Sequence, residues 1–302
     1  MVISHLSGGF GNQLYSYAFA YAVAKARNEE LWIDTAIQDA PWFFRNPDIL
    51  NLNIKYDKRI SYKIGNKKID KIFNRLTFRN AIGWNTKIIK ESDLPNVDDW
   101  FSTCLNQKGN IYIKGNWSYE KLFISVKQEI LDMFTFKTEL SKEASDIAGD
   151  INSQETSVGI HYRLGDYIQI GIVLHPDYFI SAMASMAEKY SNPVFYCFSE
   201  DNEWVKAKFK GLPYNIKYVD YSSDNKGLED FRLYSICKHQ IASNSSYSWW
   251  GAYLNSNPEK YIIAPTDYNG GWKSEIYPKE WDIRPFKFIK VMEKKTYIKN
   301  IG

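Results

Sequence analysis

The chain has 302 residues, of which 44% are hydrophobic and 24% are charged. This balance is typical of a globular protein with a sizeable core, so it excludes disorder over most of the chain, and the length suits one large domain or two of ordinary size. The formal net charge of +3 is too small to indicate nucleic-acid binding. Aromatic residues are unusually frequent at 16%, which suits cores, interfaces and surfaces that stack on sugars or bases.

The first elements follow the order of an α/β domain. An apolar stretch at residues 2–6 predicts a strand, an Ala-rich stretch at 14–27 with helical period predicts a helix, and residues 30–34 predict a second strand. Further helices are expected at 118–134 and 138–154, the second of them leading into another domain.

Residues 55–79 carry nine Lys or Arg but only two acidic residues, so the rest of the chain is net negative. A charge run of this kind is ordinarily a solvated face. The functional alternative is a patch that contacts an anionic membrane surface or a substrate linked to a lipid phosphate, which would make the protein a peripheral one.

The second half of the chain alternates strands and helices. This alternation predicts a parallel, doubly wound sheet, and with it a domain boundary between residues 154 and 155. The predicted strands cover 157–162, 194–198, 216–219, 240–242 and, as the last strand, 261–265, and the predicted helices cover 176–189, 228–238 and 245–254.

The three cysteines and the N-terminal sequence bear on location. Cys104, Cys197 and Cys237 are far apart and odd in number, without a C-x-x-C pair, which argues against a zinc site or a disulfide framework and favours a reducing compartment. The N-terminal MVISHLSGGFGNQ does not have the pattern of a secretory signal, and no run of about 18 apolar residues predicts a membrane span. We therefore expect a cytoplasmic protein.

A glycine-rich loop, residues 8–12, stands between the first strand and the first helix. Glycines at this place let a ligand approach the backbone, and the start of the helix favours an anion. A rival interpretation is a dinucleotide-binding fingerprint of Gly9 and Gly11 with Asp34 at the end of the next strand, but Leu14 stands where the third glycine belongs. A tight structural turn is the third interpretation.

The most polar cluster is His161, Arg163 and Asp166, which follows a predicted strand of the second half. Ligands of open α/β sheets bind at such strand ends, and arginine is a natural bidentate partner of phosphate. Taken singly, His161 also suits a core position and Asp166 a helix cap.

Two further clusters follow the next strands. Glu200 and Asp201 suit a ribose hydroxyl or a guanine edge as well as a helix cap. Hydroxyls and backbone N–H groups of the stretch 243–248, at a predicted helix start, suit a phosphate, and Trp249 and Trp250 are assigned to the core.

Four ordered stretches resemble the motifs of glycosyltransferase family 11, the α-1,2-fucosyltransferases, and in particular its bacterial members. GGFGNQLYSYA resembles G-G-x-G-N-Q-[LM]-[FY]-x-Y-A, and IHYRLGDYI resembles H-x-R-R-x-D-Y. FSEDNEWV resembles F-S-D-D-x-x-W-V, and KHQIASNSSYSWWGAYL resembles K-H-N-I-I-A-N-S-S-F-S-W-W-G-A-W-L. The resemblance spans nearly the whole chain, with one departure: Leu164 stands where the family has a second arginine.

The resemblance implies a GT-B-like α/β fold of two Rossmann-like domains with an active-site cleft between them, 1–154 on the acceptor side and 155–302 binding GDP-fucose. It implies inverting transfer of L-fucose from GDP-β-L-fucose to the 2-hydroxyl of a terminal galactose. The acceptor is expected to be an oligosaccharide or a lipid-linked glycan of O-antigen or capsule synthesis. No cofactor and no obligatory metal are implied, and the chain contains no D-x-D triplet.

The resemblance also implies roles for single residues. Arg163 is expected to hold the donor diphosphate, alone or with a lysine or His239, while His161 and Asp166 are the candidates for the base or for orienting the site. The residues expected to bind the donor are Gly9, Phe10, Gly11, Asn12, Arg163, Glu200, Asp201, Asn244, Ser245 and Ser246.

Two other classes of function remain as alternatives. A nicotinamide- or flavin-dependent oxidoreductase is suggested by Gly9, Gly11 and Asp34, against which the missing third glycine and the phosphate-type motifs count. A non-catalytic sugar-binding protein is suggested by the aromatic residues, but neutral sugars do not require the Arg163 cluster.

Overall fold

The computed structural model describes residues 1–40, 45–62, 71–266 and 274–289. The chain forms two compact units, unit 1 (Met1–Thr138) and unit 2 (Glu139–Gly302). The sequence placed the boundary at 154/155, whereas the structure divides the chain ahead of the helix Lys142–Ser153. This helix belongs to unit 2 because its Asp150 binds Lys217 at 2.7 Å and accepts a hydrogen bond from Tyr196.

Unit 1 is an α/β unit. Its strands are β1 (Val2–His5), β2 (Leu31–Asp34), β3 (Lys58–Ile60), β4 (Lys87–Lys90) and β5 (Ile111–Lys114). Its helices are α1 (Phe10–Arg27), α2 (Lys71–Ile82), α3 (Trp100–Asn106) and α4 (Lys127–Met133). The strands pair in parallel in the order β3-β2-β1-β5-β4, which confirms the predicted α/β class.

The α1 helix is the buried centre of unit 1. Its Ala-rich sequence favours helix, and most of its side chains are buried, so tertiary packing adds to propensity. It ends at Asn28, which adopts the left-handed conformation with φ 52° and donates its N–H to the carbonyl of Lys25.

The helix predicted at 118–134 is wrong over its first half. Only α4 is an α-helix there, preceded by two short 3-10 turns, Glu120–Leu122 and Ile124–Val126. Phe123 separates the turns with non-helical backbone, and its fully buried ring packs near Tyr15. Packing of large aromatic side chains therefore overrides the helical period of the sequence. Other 3-10 turns lie at Asp48–Asn51, Glu91–Asp93, Val97–Asp99 and Ser274–Ile276.

Unit 2 is a second α/β unit. Its strands are β6 (Ser157–Tyr162), β7 (Val194–Ser199), β8 (Asn215–Tyr218), β9 (His239–Ile241), β10 (Ile262–Pro265) and β11 (Asp282–Arg284). Its helices are α5 (Lys142–Ser153), α6 (Asp166–Ile170), α7 (Pro176–Lys189), α8 (Asn202–Lys208), α9 (Lys226–Ile236) and α10 (Ser246–Tyr253). All pairings are parallel, in the order β11-β10-β9-β6-β7-β8.

The core of unit 2 lies against its sheet. Every residue of β6 is buried, as expected of a central parallel strand. Trp249 and Trp250 are buried too, which confirms their assignment to the core. The prediction that 261–265 is the last strand is wrong, because β11 pairs with β10 at the sheet edge; three residues of mixed polarity carry little strand signal.

Two features bear on the environment of the chain. Cys104, Cys197 and Cys237 are buried thiols. Within the part of the chain that the structure describes, no helix is long and apolar enough to cross a membrane.

Candidate functional site

Each sheet contains a point where the direction of strand addition reverses. In unit 1, β2 and β5 flank β1, and in unit 2, β7 and β9 flank β6. Such reversals leave a crevice at the carboxyl ends of the strands, where ligands of α/β sheets bind. The predicted site residues follow the carboxyl ends of β1, β6, β7 and β9, so the topology brings them to these two places.

In unit 1, the glycine loop has the geometry of a close-approach turn. Gly8 has φ +72°, which strains a larger residue, and a Cβ on it would lie 2.9 Å from Asn12 Nδ2 and displace that side chain. A Cβ on Gly9 would meet no atom of the described residues within 4 Å, so the backbone is open there. Within the described ranges, Gly9 has no side-chain cap hydrogen bond at the start of α1.

Gln13, which sequence reasoning did not single out as a site residue, holds the loop in place. Its fully buried amide donates to the carbonyls of Gly8 at 3.1 Å and Asn46 at 2.8 Å, and its Oε1 accepts from the N–H of Ile49 at 3.1 Å. The glutamine of the G-G-x-G-N-Q motif, Gln13, therefore stabilises the glycine loop.

The remaining donor-binding candidates of unit 1 belong to the first turn of α1. Phe10 is buried, with its ring 6.2 Å from that of Phe136, and Gly11 is buried as well. The backbone N–H of Asn12 donates to the carbonyl of Gly9 at 3.0 Å. Their contact with a donor stays a prediction.

Asp34 is not placed to bind a ribose. Its side chain is 1% exposed, its Oδ1 accepts from the N–H of Ala36 at 2.9 Å, and its Oδ2 accepts from the hydroxyl of Tyr112 at 2.6 Å. A dinucleotide fingerprint needs this carboxylate free for a ribose hydroxyl, so the geometry disfavours that interpretation. The same Tyr112 hydroxyl contacts His5 Nδ1 at 2.7 Å.

In unit 2, Arg163 lies between two carboxylates at the carboxyl end of β6. Its Nη1 forms an ion pair with Glu200 Oε1, and its Nη2 donates to Asp166 Oδ1 at 2.5 Å. The guanidinium also lies over the ring of Tyr167, 5.2 Å from the centroid. The predicted residues Arg163, Asp166 and Glu200 therefore form one cluster.

Gly165 makes this cluster sterically feasible. It has φ +41° and ψ −125°, a conformation that is essentially restricted to glycine. A Cβ at this position would lie 3.3 Å from Glu200 Oε1 and 3.6 Å from Arg163 Nη1.

Leu164, in the place of the family's second arginine, points into the core. It is 1% exposed and belongs to the hydrophobic cluster around Phe179, while its backbone N–H donates to Glu200 Oε2 at 2.9 Å. The leucine therefore contributes packing and a backbone contact rather than charge.

His161 is a buried group of unit 2. Its Nδ1 lies 2.5 Å from Ser248 Oγ and 3.3 Å from Ser243 Oγ, and its ring lies beside that of Tyr247. Burial, with a smaller contribution from the positive charge of Arg163, lowers the pKa of His161 to about 3. A group with so low a pKa is a weak base at neutral pH.

The carboxyl ends of β7 and β9 carry the other candidates. Asp201 caps α8, its Oδ1 accepting from the N–H of Trp204 at 2.9 Å. Ser245 is the buried residue before α10, and Ser246 is the first residue of that helix. Asn244 donates to the carbonyl of Ile172, whereas its buried Oδ1 has no hydrogen-bond partner among the described residues.

His239 cannot assist Arg163. It begins β9 and pairs in register with Val158, five residues before Arg163, which places it roughly 16 Å away along the strand direction. Its ring stacks on Tyr190 and its Nδ1 accepts from the N–H of Tyr261. The expectation that His239 helps Arg163 to hold the donor diphosphate is therefore wrong.

The basic segment 55–79 is partly described. Arg59 pairs with Asp39 at 2.6 Å, and Lys58 lies over the ring of Trp32. Lys63, Lys67 and Lys68 lie outside the described residues, and membrane contact stays a prediction. Within the described ranges, no three His, Cys, Asp or Glu residues group so as to hold a metal ion.

Two α/β units, each with a parallel sheet, are characteristic of a GT-B-like fold, which solved fucosyltransferases share. NodZ from Bradyrhizobium superposes with a TM-score of 0.51 at 14% identity, over 84% of this chain and 92% of that one. A NodZ α-1,6-fucosyltransferase soaked with GDP-fucose gives 0.52 at 15% identity, over 84% and 91%. A variant of Arabidopsis thaliana FUT1 in complex with GDP gives 0.51 at 12% identity, over 89% and 71%. These likenesses show that the fold is GT-B-like.

The model of the Glycosyl transferase family 11 matches residues 1–284, and the chain belongs to this family. An α-1,2-colitosyltransferase of Escherichia coli is 26% identical, over 96% of this chain and 99% of that protein. The O-antigen biosynthesis glycosyltransferase WbnK of Escherichia coli is 28% identical, over 92% and 98%. Galactoside α-(1,2)-fucosyltransferase 1 of Gorilla gorilla gorilla is 24% identical, over 85% and 66%.

Proposed function

We propose that the protein transfers L-fucose from GDP-β-L-fucose to the 2-hydroxyl of a terminal galactose, forming an α-1,2 linkage with inversion. The observation that carries this proposal is the position of Arg163. It lies at the strand reversal of unit 2, where β6 adjoins β9 and β9 leads into α10. A bidentate arginine and a helix start are the groups that a diphosphate requires.

The chemistry follows from these groups. As the bond from the anomeric carbon to the β-phosphate oxygen breaks, negative charge develops on the leaving GDP, and a fixed arginine stabilises it. The anomeric carbon passes through an oxocarbenium-like state, and one in-line displacement by the acceptor oxygen inverts its configuration. A base within hydrogen-bond reach must take the acceptor proton.

Donor identity is the point at which family members differ. Relatives are named for fucosyl and for colitosyl transfer, and colitose is fucose without the 3-hydroxyl. A site that hydrogen-bonds this hydroxyl rejects the deoxy sugar strongly, because its buried polar groups are left unpaired. The buried Oδ1 of Asn244, three residues beyond β9, has no hydrogen-bond partner among the described residues, and we assign it as the acceptor of a hydroxyl of the donor sugar.

We further propose that the reaction proceeds in the cytoplasm without a metal or cofactor, in synthesis of a surface glycan such as an O-antigen. Similarity to an O-antigen biosynthesis glycosyltransferase supports this context. Transfer measured with EDTA and with added Mg²⁺ should proceed at the same rate, and dependence on Mg²⁺ would contradict metal independence.

The test compares GDP-fucose and GDP-colitose with a panel of galactose-terminated acceptors, each product being analysed by NMR for linkage and anomeric configuration. We expect an α-1,2-fucoside from GDP-fucose and at least tenfold lower kcat/KM with GDP-colitose. A colitoside as the preferred product would show that GDP-colitose, and not GDP-fucose, is the donor. Binding of NADH without binding of GDP would contradict glycosyl transfer itself. Asn244→Ala should reduce the preference for fucose, with the surface variant Asn192→Ala as its control.

A further inference from the structure

Three polar side chains form a hydrogen-bonded chain at the strand reversal of unit 1. His5 ends β1, Tyr112 lies on the neighbouring β5, and Asp34 ends β2. The Tyr112 hydroxyl lies 2.7 Å from His5 Nδ1 and 2.6 Å from Asp34 Oδ2. Asp34 and Tyr112 are buried, whereas the His5 side chain is 14% exposed, so the chain runs from the interior to the surface.

The hydrogen bonds fix the position of each proton. Asp34 accepts at both oxygens, from the N–H of Ala36 at Oδ1 and from Tyr112 and Tyr62 at Oδ2. Burial raises the pKa of Tyr112 well above its ordinary value, and the charge of Asp34 adds to this, so the hydroxyl keeps its single proton.

This proton is donated to Asp34, so the Tyr112 oxygen accepts from His5 Nδ1–H. Neutral His5 therefore carries its proton on Nδ1 and has a lone pair on Nε2. The described residues offer Nε2 no hydrogen-bond partner.

The candidates in unit 2 fit the role of a base less well. His161 is buried with a pKa lowered to about 3, and Asp166 pairs with Arg163. The Oδ1 of Asp166 accepts from the guanidinium and is therefore already occupied.

We propose that His5 Nε2 is the base that takes the proton of the acceptor hydroxyl, with Tyr112 and Asp34 as positioning residues; this inference rests on the proposed function. The acceptor oxygen forms a bond to the anomeric carbon while its proton moves to Nε2. The bond to the β-phosphate oxygen breaks, and its electron pair leaves with GDP. The imidazolium donates to Tyr112, which donates to the Asp34 carboxylate, so the new positive charge is stabilised.

Asp34→Asn tests the direction of the hydrogen-bond chain. Since Ala36 N–H requires an acceptor, the amide oxygen takes the place of Oδ1 and the amide nitrogen faces Tyr112. Tyr112 then donates to His5 Nδ1, and the proton of the imidazole moves to Nε2, which removes the base.

The experiment records histidine-selective ¹⁵N NMR and transfer kinetics for wild type, Asp34→Asn, His5→Asn and the surface control His175→Asn. We expect Nδ1–H His5 in wild type, Nε2–H His5 in Asp34→Asn, and a kcat lower by roughly 100-fold or more in both unit 1 variants. Their GDP affinity and the activity of His175→Asn should be unchanged.

The outcomes separate the two proposals. An Nε2–H tautomer in wild type, or wild-type kcat in His5→Asn, overturns the role of His5 while leaving fucosyl transfer intact. Failure of wild type to fucosylate any galactoside overturns the proposed function, and the role of His5 in it, whereas the tautomers still decide whether the hydrogen-bond chain has the direction assigned here.

Discussion

Arg163 and Glu200 form an ion pair across the carboxyl ends of the adjacent strands β6 and β7, Nη1 against Oε1. The second carboxylate oxygen of Glu200 accepts from the backbone N–H of Leu164 at 2.9 Å. Glu200 therefore holds the guanidinium and also the loop that carries it. Since Asp166 pairs with the same guanidinium, a diphosphate competes with two carboxylates for Arg163.

Arg163→Ala should weaken GDP binding roughly 10- to 100-fold and abolish transfer, because charge-assisted hydrogen bonds to the diphosphate are lost. The fold should survive, since Glu200 and Asp166 are 35% and 47% exposed and water can solvate them. Calorimetry with GDP and circular dichroism check both statements. Arg163→Lys keeps the positive charge without the planar guanidinium, so its GDP affinity should lie between those of wild type and Arg163→Ala. Unchanged turnover of the alanine variant would contradict the role of Arg163.

Glu200→Gln should tighten GDP binding about threefold to tenfold. The amide oxygen still accepts from Leu164, while the charge that competes with the diphosphate is removed. The measurement is GDP calorimetry at constant ionic strength, with Glu203→Gln on the exposed face of α8 as the control. Weaker binding would instead indicate that Glu200 holds a hydroxyl of the nucleoside, the role that its motif position implies.

The sequence predicts the α/β class and the strand ends that carry Arg163 and Glu200, because glycine loops and alternating apolar stretches are local signals. It does not predict the contact of His5 with Tyr112, residues that are 107 positions apart. Nothing in the short apolar stretch around Tyr112 distinguishes a proton-positioning tyrosine from a core one. Such a relation requires the strand order, which places β5 beside β1.

Burial also explains which functional residues can be recognised from the sequence and which cannot. His161 and Arg163 are two positions apart in one motif, yet His161 lies within β6, where every residue is buried, whereas Arg163 follows the end of that strand and its side chain is 18% exposed. The motif marks both as functional, and only the structure shows that one pKa is lowered by burial. The same distinction applies to Leu164, whose inward direction explains why no charge stands there.

The stability of unit 2 should fall in acid because of His161. Its pKa in the folded protein, about 3, lies below the ordinary value of 6.5, so unfolding takes up a proton between these values. The contribution of neutral His161 to the free energy of unfolding is fully present above pH 6.5 and is lost as the pH falls toward 3. Between pH 7 and pH 4 it amounts to roughly 3 kcal/mol of unfolding free energy.

His161→Asn keeps a polar atom opposite Ser248. Between pH 7 and pH 4, its free energy of unfolding should fall by roughly 3 kcal/mol less than that of wild type, as measured by urea unfolding at several pH values. His239, whose pKa burial lowers to about 4, contributes a similar slope in both proteins and cancels from the comparison. Equal slopes for wild type and variant would show that His161 is not held neutral by burial.

Gly165→Ala should weaken GDP binding about tenfold and lower the free energy of unfolding by about 1–3 kcal/mol. The backbone at φ +41° and ψ −125° is strained for alanine, and the new Cβ would press on Glu200 Oε1 from 3.3 Å and displace the carboxylate that holds Arg163. Gly211→Ala is the matched control, because it also replaces a glycine with positive φ, +82°, but its new Cβ would meet no atom of the described residues within 4 Å. The control should lose stability and keep its GDP affinity. If both variants bind GDP as wild type does, the position of Arg163 does not depend on Gly165, and the arginine reaches the diphosphate from more than one loop conformation.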